Sequence, residues 1–238
     1  MIGFDSNTKT KTGVEDVRII SLSDNRLIKI DPREEGFFDL VLNYKSDNES
    51  INAFINAVEI VKRANLKAFY KTKYDPSRFY DGSIVFIKGR CPIIKKSFGW
   101  WYENVETMPS VENKRWHIAN IYQYYAFLVW LINKLSVKSS IDIAIHQVVI
   151  DSKELGHYFE SENSKKRKYM EETGCREVCG CCDLANARKI LVSPTGNREI
   201  WMAGGDYYDH SYENPLANLE KLNIETYCGI NATAMLIL

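Results

Sequence analysis

Short runs that alternate apolar and polar residues dominate the first third of the chain. Residues 17–22 and 26–30 alternate on either side of Asp24-Asn25, two residues that tolerate tight turns, so the pattern predicts a β-hairpin. Asp31-Pro32 ends the second run, because proline cannot donate to a strand ladder. Residues 37–44 predict a third strand, with Phe38, Leu40 and Leu42 on one face and Phe37, Val41 and Tyr44 nearer the other. Ile51, Phe54, Ile55, Val58 and Val61 then follow the helical period. They predict a helix over 51–64 with Ser50 as its N-cap. Strands over 66–70 and 84–88 follow, joined by a turn built on Asp75-Pro76 and Asp81-Gly82.

The second half begins with a predicted loop over 92–113 that carries Trp100, Trp101 and Tyr102. The strongest helical pattern covers 112–135. Its first half has a polar stripe at Asn113, His117, Asn120 and Tyr124, whereas residues 125–132 are apolar on every side. A helix of that kind must be enclosed all round, by its own domain or by a neighbour. Residues 141–150 alternate as a strand and 152–172 predict a polar helix. A hairpin over 188–203 turns at 193–197, a short helix is expected over 215–222, and 232–238 is an apolar strand-like run. Strands and helices cluster instead of alternating as βαβ units. The expected class is therefore α+β: a mixed, mainly antiparallel sheet with two or three helices, one of them long and buried near 112–135. A polar arm over 1–16 precedes a single domain over 17–238, with 108–113 the place where it would subdivide.

Composition narrows the function classes. The chain has 238 residues, with 31 basic and 31 acidic side chains. A balanced charge lacks the basic footprint of bulk nucleic-acid capture, so nucleic acid is not an expected partner by direct base readout. With 45% hydrophobic residues the chain has ample material for a core, which excludes disorder as its main state. Lys165, Lys166, Arg167 and Lys168 form a local basic run, but Glu160, Glu162, Glu171 and Glu172 flank it and shorten its field. The apolar stretch within 122–135 is shorter than the roughly 20 residues a membrane span needs.

The cysteines are the main anomaly. Cys175-x-x-x-Cys179-x-Cys181-Cys182 packs four thiols into one short stretch with Gly174 and Gly180. Thiolates are soft ligands for Zn²⁺, and Cys228, His210 or His157 could complete a shell. The second knuckle of the usual structural zinc site is missing, and adjacent cysteines do not easily face one ion. Small buried thiols behave as modest hydrophobes, and that reading is preferred. Cys182 or Cys179 could instead act as a nucleophile beside Arg176, Arg188 and Lys189. The first eleven residues contain no apolar run of the export-signal type, so reduced thiols and an intracellular, reducing compartment are expected. Gly204-Gly205-Asp206 with Asp209 and His210 could bind a divalent ion, but fits a polar loop after a hairpin better. No phosphate-cradling glycine motif occurs.

The remaining signal is aromatic. Trp and Tyr are enriched where one side is dry and the other wet, as at subunit interfaces. Trp100, Trp101, Tyr102, Tyr124 and Phe127 are the candidate partner-binding residues. The expected function is a non-enzymatic structural subunit that docks on other protein chains, in a homo- or hetero-oligomer, through its arm, its aromatic loop and its apolar C-terminal run. A virion neck, ring or tail-connector component is the concrete version, with virion localisation in that case. No cofactor is expected in it. The alternative is a zinc-binding domain or thiol-dependent enzyme centred on Cys175, Cys179, Cys181 and Cys182, with His210 as a further metal ligand.

Overall fold

The computed structural model describes residues 18–19, 21–79, 81–88, 90, 92–155, 177–182, 184–185, 187–195, 199–205, 214–222 and 232–238. The arm, most of 152–172 with its basic run, and Cys91, His157, Cys175, Asp206, Asp209, His210 and Cys228 lie outside them. The described residues form a mixed α+β fold whose sheets are mostly antiparallel, as expected.

Two four-stranded sheets organise the chain. One is built from β1 (Leu27–Ile30), β2 (Phe69–Thr72), β12 (Leu236–Ile237) and β5 (His117–Ile118), in that order and antiparallel throughout. The other runs β10 (Leu219–Leu222), β9 (Ile200–Ala203), β8 (Arg188–Val192) and β11 (Ala232–Ala234), with β11 parallel to β8. Two hairpins complete the strands: β3 (Ser77–Arg78) with β4 (Ile84–Val85), and β6 (Glu177–Val178) with β7 (Cys181–Cys182).

Residues 232–238 belong to both large sheets and are buried along their whole length. Tyr70 and Leu238 exchange both backbone hydrogen bonds at 3.0 Å, and the amide of Ala119 donates to the carbonyl of Met235 at 2.8 Å. Side chains alternate along this run. Ala232, Ala234, Leu236 and Leu238 enter one core with Trp101, Val105, Phe86 and Trp116. Met235 and Ile237 enter the other with the helices. Both faces of the sheets are covered, which explains the continuous apolar character of the run.

The larger core is closed by helices. α1 (Asp39–Leu42) is one turn, and α2 (Glu49–Arg63) starts at Asn48, whose side chain accepts from the amides of Ser50 and Ile51. α4 (Ile121–Ser136) starts at a capping box: Asn120 and Gln123 exchange side-chain-to-backbone hydrogen bonds of 2.9 and 3.0 Å. It touches α1, α2, β1, β8 and α5 (Ile141–Val149), so the apolar stretch 125–132 is enclosed by its own chain. α3 (Phe98–Glu106) lies on the other side of the sheets and covers the second core.

Several expected elements differ. β1 pairs with β2, not with residues 17–22. Residues 37–44 curl into α1, because Phe37, Phe38 and Val41 all reach the core at helical spacing while Leu40 stays outside. Tryptophans 100 and 101 sit on a helix, not in a loop. The helix expected from residue 112 begins at 121, because Glu112 and Asn113 adopt positive φ of 46° and 66° and form a turn. Residues 141–150 are helical: Ala144, Ile145, Val148 and Val149 are buried, whereas Ile143, which the strand reading would bury, is 51% exposed. Residues 219–222 form an edge strand, drawn into β9 by backbone pairing.

The run 232–238 yields two opposite predictions for urea unfolding at pH 7. Ile237→Ala loses about 2–5 kcal/mol, because a rigid core leaves a cavity. The buried hydroxyl of Thr233 has no hydrogen-bond partner among the described residues, so Thr233→Val gains about 1 kcal/mol.

Candidate functional site

The aromatic segment divides between core and surface because α3 places successive residues on different faces. Ser97 caps the helix, its hydroxyl accepting from the amide of Trp100 at 3.2 Å. Trp101 is fully buried and Val105 packs beneath it, while Tyr102 is 54% exposed. Trp100 is half-buried, its ring meeting Trp101 edge-on at 5.0 Å. The charged groups of Arg78 and Lys96 lie 5.6 and 5.4 Å from the Trp100 ring centre, within cation–π range. Arg90 lies 5.8 Å from the ring of Phe79. A basic, aromatic surface therefore surrounds the start of α3.

The hairpin beneath it sets this arrangement. Asp81 accepts from the amide and hydroxyl of Ser83 at 2.9 and 2.6 Å, and Gly82 supplies the positive φ of 89° that the turn requires. The amide of Ile93 donates to the carbonyl of Pro76 at 2.8 Å, tying the approach to α3 to β3. Of the five expected docking residues, Trp100 and Tyr102 reach the surface. Trp101, Tyr124 and Phe127 are buried in their own chain, and residues 232–238 are likewise enclosed. Apolar runs of this length satisfy the core as readily as an interface, so the sequence signal does not separate the two.

The cysteine stretch is a two-residue hairpin. Cys179 and Gly180 occupy its tip with φ of 52° and 84°, the signature of a type I′ turn. Strand alternation then sends Cys181 and Cys182 to opposite sides. Cys182 is disulfide-bonded. Burial pushes the thiols of Cys179 and Cys181 up, and cations nearby oppose that only partly. Both shifts run against thiolate formation. Among the described residues no three His, Cys, Asp or Glu side chains cluster as a metal site; Cys175 and His210 lie outside them. Gly204 turns at φ +74°, and a Cβ on Gly205 would lie 2.7 Å from the carbonyl oxygen of Asn214. Both glycines answer to the backbone.

A buried polar cluster escaped the sequence reading. Lys71 stands between Ile28 and Ile237 in the sheet register, so its side chain points into the helix-side core. Its amine donates to the carbonyl of Thr72 at 2.7 Å and lies 4.7 Å from the Phe127 ring centre. Burial pulls this amine below its ordinary range, with Cys181 and Asp75 close enough to oppose the effect. Nearby, the Lys189 amine donates to Asp75 at 2.6 Å, with side chains 6% and 17% exposed. Tyr124 donates to the carbonyl of Leu216 at 2.8 Å, and burial pushes its hydroxyl far up. The alternation of Phe69 and Lys71 was the one available signal. These groups are enclosed and hydrogen-bonded, and they hold β2, β8 and α4 in register.

No family model matches the chain, and neither do the curated proteins or the solved structures. Among the described residues no helix is long and apolar enough to cross a membrane.

Three outcomes test the buried groups. Asp75→Asn leaves the Lys189 charge buried and alone, and lowers stability by about 3 kcal/mol at neutral pH. The unfolded chain keeps Lys71 protonated up to its ordinary range near 10.5, whereas the folded chain gives up that proton lower. Between those points the unfolded state binds more protons, so Lys71 makes stability rise with pH. Unfolding of the wild type and of Lys71→Met, compared from pH 7 to 11, shows this rise only in the wild type. Iodoacetamide at pH 7 labels Cys179 slowly and Cys181 more slowly still.

Proposed function

We propose that this chain is a non-enzymatic structural subunit that docks on other protein chains through the surface of α3. The carrying observation is Trp100, half-buried beside the charged groups of Arg78 and Lys96, with Tyr102 exposed on the other flank of the same helix. Tyr and Trp supply large contact area at small entropic cost, and such anchors carry most of the energy of protein interfaces. Trp101 and Val105 fasten the helix to the core from below, so the surface is presented on a rigid element. A virion neck, ring or tail-connector component is a specific case of this reading, and co-sedimentation of the chain with intact particles tests it.

Tyr102→Ala combined with Arg78→Ala weakens association at least tenfold, about 1.4 kcal/mol or more, as read by sedimentation equilibrium or by cross-linking within the native assembly. The thermal midpoint stays within a few degrees, because neither side chain enters a core. Unchanged association in this variant removes α3 as the docking element.

A further inference from the structure

The outer face of α3 is unevenly charged. Lys95 and Lys96 stand at its start, with Arg78 nearby, and Glu103 and Glu106 occupy its second half. Lys95, Glu103 and Glu106 are exposed, and none of them has an ion-pair partner among the described residues. Gly99 lies on the same face, at helical spacing from Tyr102, Glu103 and Glu106. A Cβ added there would meet nothing within 4 Å. Its φ is not positive, so this backbone would accept any small residue, and in a helix glycine is less stable than alanine. Nothing among the described residues calls for a glycine there, and its bare backbone leaves room for close approach of another backbone.

Resting on the proposed docking role of α3, we infer that its partner is a second copy of this chain, with the two α3 helices packed antiparallel about a two-fold axis near Gly99. A two-fold contact places the same patch against itself. An axis crossing the helix between Gly99 and Glu103 sets Glu103 over the gap left by Gly99 and Glu106 opposite Lys95 and Lys96 of the second copy. Both ends gain opposite charges, and each acidic half faces the positive end of the other helix dipole. Parallel packing would oppose like charges. The Tyr102 rings of the two copies then flank one side of the contact and the Trp100 rings the other, because residues two apart lie on opposite flanks of a helix. Nine residues span about 13 Å, so the contact is small and the dimer depends on concentration and salt.

Charge exchange in the full chain tests this by sedimentation equilibrium. Glu103→Lys with Glu106→Lys, and separately Lys95→Glu with Lys96→Glu, each weaken the dimer about tenfold or more. Mixing the two variants restores a heterodimer of near wild-type affinity, and circular dichroism confirms that each is folded. Gly99→Trp abolishes the dimer while leaving the thermal midpoint close to that of the wild type. A wild-type chain that stays monomeric to ~100 µM at low salt overturns self-pairing and leaves α3 to a different partner. A dimer indifferent to all of these variants and to Tyr102→Ala overturns both this inference and the docking role of α3. Failure of the mixed variants to pair overturns the antiparallel arrangement.

Discussion

The shared seven-residue run is the constraint on which the rest of the structure depends. Residues 232–238 pair with β8 in one sheet, then with β2 and β5 in the other, without an intervening loop. Because strand side chains alternate, the same backbone feeds Met235 and Ile237 to one core and Ala234, Leu236 and Leu238 to the other. A polar residue in the run loses water and needs a partner in return, and Thr233 has none among the described residues. The run brings together strands far apart in sequence, so the two cores depend on one another through it.

Around that spine the molecule spends its aromatic residues in two ways. Those of α4 fill the helix-side core, where Phe127 packs on Trp130 and Lys71. Those of α3 straddle the boundary between core and solvent, with Trp101 inward and Tyr102 outward. The same residue types thus make a rigid floor and a presented surface. Cation–π contacts with Arg78 and Lys96 place positive charge at the rim of that surface.

The buried polar groups follow a stricter logic. Lys71 lies inside a core and keeps one backbone hydrogen bond and an aromatic face, whereas Lys189 keeps a carboxylate. Each arrangement is specific in geometry, because a shift of β2 by one residue would turn Lys71 to the opposite side of the sheet. The cysteine hairpin joins this region through the amide of Cys182, which donates to the carbonyl of Lys73. Cys179 and Cys181 in it are free thiols, and Cys182 is disulfide-bonded.

Local pattern was enough for α2, for the β8–β9 hairpin, for the apolar helix through 125–132 and for the α+β class, because each is set by periodicity or turn residues close in sequence. It was not enough where two periods fit the same residues. Residues 141–150 satisfy alternation and the helical repeat alike, and only packing against α4 selects the helix. Residues 37–44 and 219–222 were decided in the same way, by what they lie against. The candidate site was legible to the extent that adjacent Trp100, Trp101 and Tyr102 could not all be buried. Which of them faces outward, where Lys71 points, and how 232–238 joins two sheets came only with the tertiary structure. The reason is that burial depends on the partners a side chain meets in space, and the linear order of residues does not contain those partners.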